Sequence, residues 1–148
     1  MIQRKQSLFL LATTVIAIVI IFLPFQKLIT PEINWALCLM PGCSAEIMNS
    51  NIYAPMILNF IVILMSILTI FQYKNRVLQY KLANLIALFN VFIIGLFFLL
   101  SYLKDGITGT VSFSVGAFLP AISVISAFLA AHFIKKDEQL VRNADRIR

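Results

Sequence analysis

Long apolar runs separated by short charged segments form the main pattern of this chain. Four runs contain no Asp, Glu, Lys or Arg. The shortest is long enough for a helix of about 27 Å at 1.5 Å per residue, close to the ~30 Å hydrocarbon core of a bilayer. The pattern therefore predicts four membrane-spanning helices. They cover residues 8–25, 52–71, 82–102 and 111–134, and residues 26–51 form a long outer loop after the first.

The first run also has the basic start of a cleaved signal peptide, because Arg4 and Lys5 precede it. It is longer than an ordinary signal-peptide core, and no small-residue cleavage site follows Pro24 and Phe25. We therefore expect a retained span. The predicted domains are a four-span membrane unit over residues 1–134 and a basic, helical tail over residues 135–148.

Lys and Arg are unevenly distributed among the flanks of these runs. Short cytoplasmic flanks are rich in both residues, so their distribution predicts orientation. The first and third loops hold only Lys27 and Lys104. The predicted fold is an all-α integral membrane protein of the bacterial inner membrane, a four-transmembrane-helix bundle with both termini cytoplasmic. The other ten basic residues, on the predicted cytoplasmic side, are Arg4, Lys5, Lys74, Arg76, Lys81, Lys135, Lys136, Arg142, Arg146 and Arg148.

Composition agrees with this class. The chain of 148 residues is 61% hydrophobic and 12% charged, with a mean hydropathy of +0.95, whereas soluble domains are about a quarter charged. The net charge is +6. The basic residues flank apolar runs and do not form one basic face, so we expect the lipid bilayer as a partner and no nucleic acid.

The C-terminal tail carries a helical pattern of its own. Leu140, Ala144 and Ile147 recur at helical spacing, and Glu138 precedes Arg142 in the favourable i,i+4 order. The tail is either a solvated stop after the last span or a basic helix that contacts anionic headgroups or an acidic partner. Its candidate contact residues are Lys135, Lys136, Arg142, Arg146 and Arg148.

Three segments carry a resemblance to a known family. They read "MIQRKQSLFLL", "FQYKNRVLQYKLANL" and "FLPAISVISAFLAAHFIKKDEQLVRNADRIR". The chain resembles small four-span inner-membrane proteins of Bacteroidota that are described as a domain of unknown function. The closing "KKDEQLVRNADRIR" is the most specific part. The resemblance implies location and topology, and it brings no activity, substrate or catalytic residue.

The spans lack the residues that most membrane chemistry uses. None contains an ionisable side chain of the kind that ion-coupled transporters place in hydrocarbon. His132 lies beside Lys135 and Lys136, and a single His cannot make a metal site with two cysteines predicted on the opposite face. No phosphate loop or nucleotide fingerprint appears. We expect no metal, no cofactor, no small-molecule ligand and no enzyme active site.

Asn59 and Asn90 are the prominent polar residues within the spans. Buried amides in lipid seek partners on neighbouring helices. Counted from the ends of the predicted spans, the two residues differ in depth by a turn or more, so direct bonding requires a tilted helix. We expect them to serve in helix packing, and a substrate site is the alternative.

The fourth run has small residues at helical spacing, which let helix backbones approach closely. This face meets either the other spans or another protein. Pro120, between the two sets of small residues, is expected to kink the helix. The face consists of Ser112, Gly116, Ser123, Ala127 and Ala131.

The outer loop holds both cysteines, Cys38 and Cys43, on either side of Pro41 and Gly42. On the predicted topology they face the oxidising periplasm, where they form either a turn-closing disulfide or an unpaired thiol pair. The alternative is redox catalysis of the kind that four-span thiol oxidases perform. Those enzymes relay electrons between two cysteine pairs, and this chain has one.

These observations favour a non-catalytic accessory or scaffold subunit of a larger inner-membrane assembly, in protein export or respiration. Its expected partners are other inner-membrane proteins or further copies of itself. A small oligomeric transporter or channel, with Asn59, Asn90 and the region of Pro120 along its path, is the second hypothesis. A periplasm-facing thiol oxidoreductase is the third.

Overall fold

The fold is a bundle of four long helices with a small β-sheet at one end. The structure is a computed structural model that describes residues 3–29, 34–37, 39, 53–73, 75–102 and 110–146. The helices are α1 (Gln3–Phe22), α2 (Tyr53–Phe71), α3 (Arg76–Tyr102) and α4 (Leu119–Arg146). The strands are β1 (Gln26–Ile29), β2 (Asn34–Leu37) and β3 (Thr110–Phe113), and a short 3-10 turn, Val115–Ala117, precedes α4.

The outer surface of the bundle is apolar. Three segments are long and apolar enough to cross a membrane, Tyr53–Phe71, Arg76–Tyr102 and Val115–Asn143, and a shorter apolar helix covers Gln6–Phe22. Large apolar side chains point outward on every helix, and water would disfavour such a continuous surface. The fold is therefore a helical bundle compatible with a membrane, as the sequence predicts. Examples of these exposed side chains are Leu8, Leu11, Phe60, Leu64, Phe92, Leu99, Ile125 and Phe128.

The interior of the bundle is built from residues that recur every three or four positions. On α2 the buried positions are 55, 59, 62, 66 and 69, and on α3 they include 79, 83, 86, 90, 93, 97 and 100. This spacing keeps one stripe of each helix facing its neighbours, as in left-handed bundles. Each helix packs against the helix before and after it in the chain, and α4 closes the ring by packing on α1.

Antiparallel order gives the bundle two distinct ends. One end is here called the turn end. It carries the start of α1, the turn between α2 and α3, and the last part of α4. The opposite end carries the sheet, in the order β2-β1-β3 with both pairings antiparallel, and is called the sheet end. Gln26 pairs with Leu37 on one side and with Phe113 on the other. The sheet thus joins the end of α1 to the segment before α4.

Phe25 anchors the sheet to the bundle. It is buried and stacks on Phe97 of α3, with ring centroids 4.2 Å apart and planes 9° apart. Its ring also meets Phe113 edge-on at 6.3 Å. The backbone carbonyl of Phe25 accepts a hydrogen bond from the Ser114 N–H at 3.0 Å. The end of the bundle is therefore closed by aromatic packing as well as by strand pairing.

Three helices begin several residues before or after the predicted spans do. The first, α1, covers Gln3–Phe22, where the sequence predicts a span over residues 8–25. The third helix begins at Arg76, where the sequence predicts a span from residue 82. Asn75 lies at its start and accepts a hydrogen bond from the Leu78 N–H through Oδ1, as a helix-capping residue does. Arg76 and Lys81 lie within this extension. Both are good helix formers. The predicted spans were limited to uncharged residues, and this is why the prediction left them out.

The fourth helix begins at Leu119, where the sequence predicts a span from residue 111. Residues 110–113 are extended because they pair with β1. Pro120 consequently lies in the first turn of α4, where a missing N–H costs nothing, and the expected mid-helix kink was wrong. The helix continues to Arg146, so the tail is helical through most of its length.

Gly116 provides a test of how closely the segment before α4 packs on the end of α1. A Cβ atom at this position would clash with the Pro24 carbonyl and lie 2.8 Å from its carbon atom, whereas a Cβ at Gly95 of α3 meets nothing within 4 Å. We expect Gly116→Ala to lower the free energy of unfolding by about 1–3 kcal/mol through overpacking. Gly95→Ala should leave it unchanged or raise it by up to about 1 kcal/mol.

Thermal unfolding of both variants in the same mild detergent measures this difference. Equal midpoints for Gly116→Ala and the wild-type protein would contradict the close contact between Gly116 and Pro24.

Candidate functional site

The candidate site lies in the interior of the bundle, where uncharged polar side chains are concentrated. Among the described residues, Asp137 is the only charged side chain that is buried, and it lies at the turn end. The interior of the described spans therefore has no fixed charge. The buried polar side chains of the helices are otherwise Gln6, Thr13, Thr14, Asn59, Ser66, Thr69, Gln79, Asn90, Ser123 and Ser126.

Several of these side chains bond to backbone carbonyls of a neighbouring helix. Asn59 Nδ2 donates to the Ala17 carbonyl at 2.9 Å and joins α2 to α1. Gln79 Nε2 donates to the Thr69 carbonyl at 3.2 Å and joins α3 to α2. Two further bonds join α1 and α4. In these, Gln6 Nε2 donates to the Phe133 carbonyl at 3.1 Å and Ser126 Oγ to the Phe9 carbonyl at 2.9 Å.

The bond between Gln79 and Thr69 fixes the relative depth of α2 and α3. Asn59 lies ten residues from Thr69 towards the sheet end, and Asn90 lies eleven residues from Gln79 in the same direction. At 1.5 Å per residue these distances agree to within about 2 Å. The expected depth difference of a turn or more was wrong, because α3 begins at Arg76 and not at residue 82. Asn59 and Asn90 therefore share one level of the core.

Ser123 of α4 lies nearer the turn end. Ser126 bonds to the Phe9 carbonyl and Asn59 to the Ala17 carbonyl. Ala17 lies eight residues from Phe9 towards the sheet end, whereas Ser123 lies only three residues from Ser126, so the two depths differ by about 7 Å. We call Asn59 and Asn90 the polar layer. Both of these side chains and that of Ser123 are 0% exposed.

Some of the buried side chains have an oxygen without a hydrogen-bond partner. Within the part of the chain that the structure describes, these atoms are the Oδ1 atoms of the polar layer, in Asn59 and Asn90, and the Oγ atoms of Ser66 and Ser123. The amide nitrogen of Asn90 is occupied, since it donates to the Ile86 carbonyl of its own helix at 2.8 Å. An unpaired buried polar group costs about 1–3 kcal/mol, so the two unpaired amide oxygens of the polar layer call for an explanation.

The predicted small-residue face divides into two parts. Ser123, Ala127 and Ala131 are buried in the interior of the bundle, on the face of α4 that also carries Ala130. Ser112 is exposed on β3, where its Oγ donates to the Lys27 carbonyl at 3.2 Å, and Gly116 lies in the 3-10 turn against Pro24. The first two residues do not extend the helical stripe, because the chain before Leu119 is not α-helical.

The basic tail is held at its base by an ion pair. Arg76 Nη1 lies 3.2 Å from Asp137 Oδ2, with the two side chains 28% and 7% exposed, and it also donates to the Asp137 carbonyl at 3.3 Å. Lys135 Nζ lies 5.9 Å from the centre of the Tyr80 ring. Lys136 and Arg142 are exposed. Arg146 is the last residue of α4, and Arg148 lies outside the described residues.

Local sequence patterns do not predict this ion pair, because its partners are 61 residues apart. The i,i+4 pair expected between Glu138 and Arg142 is not among the ion pairs of the described residues, where Asp137 takes that role with Arg76. The one sign of the ion pair in the sequence is the position of Asp137, which directly follows two Lys residues at the end of a predicted span.

The remaining candidate residues form no further site within the described residues. His132 is exposed and meets the Phe133 ring edge-on at 5.9 Å. No group of three or more metal-binding side chains occurs among the described residues. Cys38 and Cys43 lie outside the described residues, so the predicted disulfide stays a prediction.

The ion pair between Arg76 and Asp137 predicts a specific loss of stability. Asp137→Asn keeps the shape of the side chain but leaves the half-buried Arg76 without its counter-charge, and we expect a loss of about 1–3 kcal/mol. Glu138→Gln is the matched control, with an expected change within about 0.5 kcal/mol. Thermal unfolding in detergent measures both.

The exchanged pair, R76D combined with D137R, should recover most of the loss, because the carboxylate then lies near the N-terminus of α3. An equal midpoint for Asp137→Asn and Glu138→Gln would show that the ion pair does not stabilise the base of α4.

Comparison with known proteins gives a family but no activity. A search of curated proteins finds no match to this chain. The family whose model matches is described as a domain of unknown function (DUF4293), and the match covers residues 2–147, nearly the whole chain. This confirms the resemblance to a family of unknown function that the sequence carries. The chain belongs to the DUF4293 family.

Proposed function

We propose that this chain is a four-span inner-membrane protein with both termini in the cytoplasm. The arrangement of the two ends supports the proposal. The start of α1, the turn between α2 and α3, and the end of α4 lie together at the turn end, which carries Arg76, Lys81, Lys135, Lys136 and Arg142. A basic end on an apolar bundle suits the cytoplasmic face of a membrane.

Within that membrane we propose a non-catalytic accessory or scaffold role in a larger assembly, in protein export or respiration. The observation that carries it is the extension of α4 beyond the ion pair. From Asp137 to Arg146 the helix runs for about 13 Å at 1.5 Å per residue. Along it Gln139, Leu140, Val141 and Arg142 are exposed.

This extension combines exposed apolar and basic side chains on a helix that is fixed at its base. Leu140 is 51% and Val141 46% exposed, and both positions follow the anchored Asp137. The tail of residues 135–148 has five basic and three acidic residues. A partly apolar segment with such a basic excess complements an acidic segment of a neighbouring protein. We propose such an inner-membrane protein as the partner of the α4 extension.

The two other hypotheses have less support. A transport path along Asn59 and Asn90 requires water at those residues, and both side chains are completely buried. The thiol oxidoreductase depends on Cys38 and Cys43, which lie outside the described residues. The accessory role therefore remains the proposal.

Cysteine labelling tests the orientation. In a background with Cys38→Ser and Cys43→Ser, single cysteines replace three exposed residues, Gln72 at the turn end, Gln139 on the α4 extension and Ser112 on β3. We expect a membrane-impermeant maleimide to label S112C in intact spheroplasts, because the sheet end faces the periplasm. Q72C and Q139C should react only after lysis. Labelling of Q72C or Q139C from outside would overturn the orientation.

Deletion of residues 139–148 tests the role of the α4 extension and leaves the Arg76–Asp137 ion pair in place. We expect the shortened chain to insert and to unfold at the wild-type midpoint, yet to lose the companion protein that the full chain retains in mild detergent. Mass spectrometry after affinity isolation measures the loss. Because basic contacts are screened by salt, raised ionic strength should weaken the same association.

The control is Lys27→Gln, which removes one exposed basic residue at the sheet end and should leave the companion bound. Equal recovery of the companion with the shortened chain would contradict the docking role. Isolation of the full chain as a homo-oligomer alone would favour the transport hypothesis.

A further inference from the structure

Two neighbouring contacts join α3 to α4 at the turn end, and each involves a basic side chain. Arg76 donates through Nη1 to Asp137, and Lys135 Nζ lies 5.9 Å from the centre of the Tyr80 ring. Arg76 and Tyr80 are four residues apart on one face of α3, and Lys135 lies two residues before Asp137 on α4. We call Arg76, Tyr80 and Lys135 the α3–α4 cluster.

The α3–α4 cluster has hydrogen-bond donors without acceptors. Both bonds of Arg76 use Nη1, so its Nε and Nη2 have no partner among the described residues. Lys135 forms no ion pair there, and the Tyr80 hydroxyl makes no hydrogen bond in the same part of the chain. Arg76 is 28% exposed and Lys135 is exposed, so a ligand can reach both cations from outside the bundle.

The charge of the α3–α4 cluster favours an anion as that ligand. Asp137 compensates Arg76, whereas Lys135 is a cation without a counter-charge in the described structure. The ion pair also holds the guanidinium in place, so binding costs little further loss of side-chain freedom. An anion with several oxygen atoms can accept bonds from all three side chains of the cluster.

The position of the α3–α4 cluster indicates which anion is available. Lys135 directly follows the buried Ile134, the last residue of the uncharged run on α4. Next to Arg76 on α3, the apolar side chains of Val77 and Leu78 are exposed. The cluster therefore lies at the boundary between the apolar surface and the basic turn end, which is the level of lipid phosphates at the proposed membrane location.

The surroundings of the α3–α4 cluster favour a lipid over an acidic protein segment. Asp137 and Glu138 follow Lys135 outward along α4, so an acidic peptide that approaches from the aqueous side meets like charge. Asn84 lies about 6 Å deeper than Tyr80 on the same face of α3. It is partly buried and makes no hydrogen bond within the described residues, so its amide can donate to an ester carbonyl of a lipid.

We propose that the α3–α4 cluster binds the phosphate of one anionic phospholipid of the cytoplasmic leaflet. Lys135 supplies the unpaired charge, Arg76 and Tyr80 donate to phosphate oxygens, and Asn84 donates to an ester carbonyl. A zwitterionic headgroup has the same phosphate but brings a second cation close to Lys135, which disfavours it. The inference rests on the proposed membrane location and orientation but not on the companion of the α4 extension.

Native mass spectrometry of the full chain in mild detergent tests the proposal. Phosphatidylglycerol is titrated, with phosphatidylcholine of the same acyl chains for comparison, and we expect one phosphatidylglycerol to bind preferentially. Lys135→Gln should raise its Kd about fivefold or more, the effect of one basic contact at a membrane surface. Lys135→Arg keeps the charge and should leave the Kd within about twofold of the wild-type value.

Lys136→Gln is the matched control. It removes the same charge one residue away, and Lys136 is exposed about 100° further round α4. We expect its Kd to stay within about twofold of the wild-type value. Both glutamine variants should keep the wild-type Tm without lipid, because both lysines are exposed. An equal Kd for Lys135→Gln and Lys136→Gln, or equal binding of the two lipids, would overturn the proposal.

Two competitors distinguish a lipid from other anions. Inorganic phosphate and a peptide of glutamate residues are added to the phosphatidylglycerol complex, each at the concentration of the lipid. Displacement of the lipid by either competitor would contradict the proposal. The chain that lacks residues 139–148 should bind phosphatidylglycerol with the wild-type Kd, so loss of the companion and loss of the lipid are separate outcomes. Loss of lipid binding in that shortened chain would assign the lipid to the α4 extension and overturn the proposal.

Discussion

Polar bonds between neighbouring helices are the interaction on which this bundle depends. In lipid, apolar side chains are as well solvated outside the bundle as inside it, so their burial provides little drive for helix association. Each of the four helix contacts contains at least one interhelical hydrogen bond. In every one of them a side chain donates to a backbone carbonyl of the neighbouring helix. The bonds are Asn59 to Ala17, Gln79 to Thr69, Arg76 to Asp137, and Gln6 to Phe133 with Ser126 to Phe9.

These interhelical bonds require the helices to lie close together, and this limits the size of the side chains at the contacts. Buried Ala127, Ala130 and Ala131 let α4 approach its neighbours closely, which side-chain bonds of about 3 Å across the contact require. Many large apolar residues lie on the outer surface, although others, such as Ile86, Phe97 and Ile134, are buried. An apolar outer surface around an interior with small and polar side chains is compatible with a lipid environment.

The sequence predicted the helices well and their ends poorly. The apolar run at 52–71 coincides with α2 to within one residue, because both ends of that run are marked by polar residues. The start of α3 was missed because Arg76 and Lys81 were counted as loop, and the start of α4 because the alternating Thr-Val-Ser-Phe of β3 was read as part of an apolar helix. Strand pairing with β1 depends on a residue 85 positions away, which no local pattern reports.

For the candidate site, the sequence identified residues but not their relations. Asn59 and Asn90 were singled out as interior polar residues, yet their common depth follows only from the register that the bond between Gln79 and Thr69 imposes. The ion pair itself was missed because its charges appeared to belong to two unrelated solvated flanks.

The sheet at the end of the bundle has a consequence for biogenesis. Strand β1 leaves the ribosome early, but its partner β3 is made only after three helices have been completed. Until then the edge of β1 that pairs with β3 is open, whereas β2 and Phe97 of α3 have already been made and can bind the other edge and the ring of Phe25. A newly made chain that lacks β3 and α4 therefore presents one unpaired strand edge, which is open to pairing with another chain.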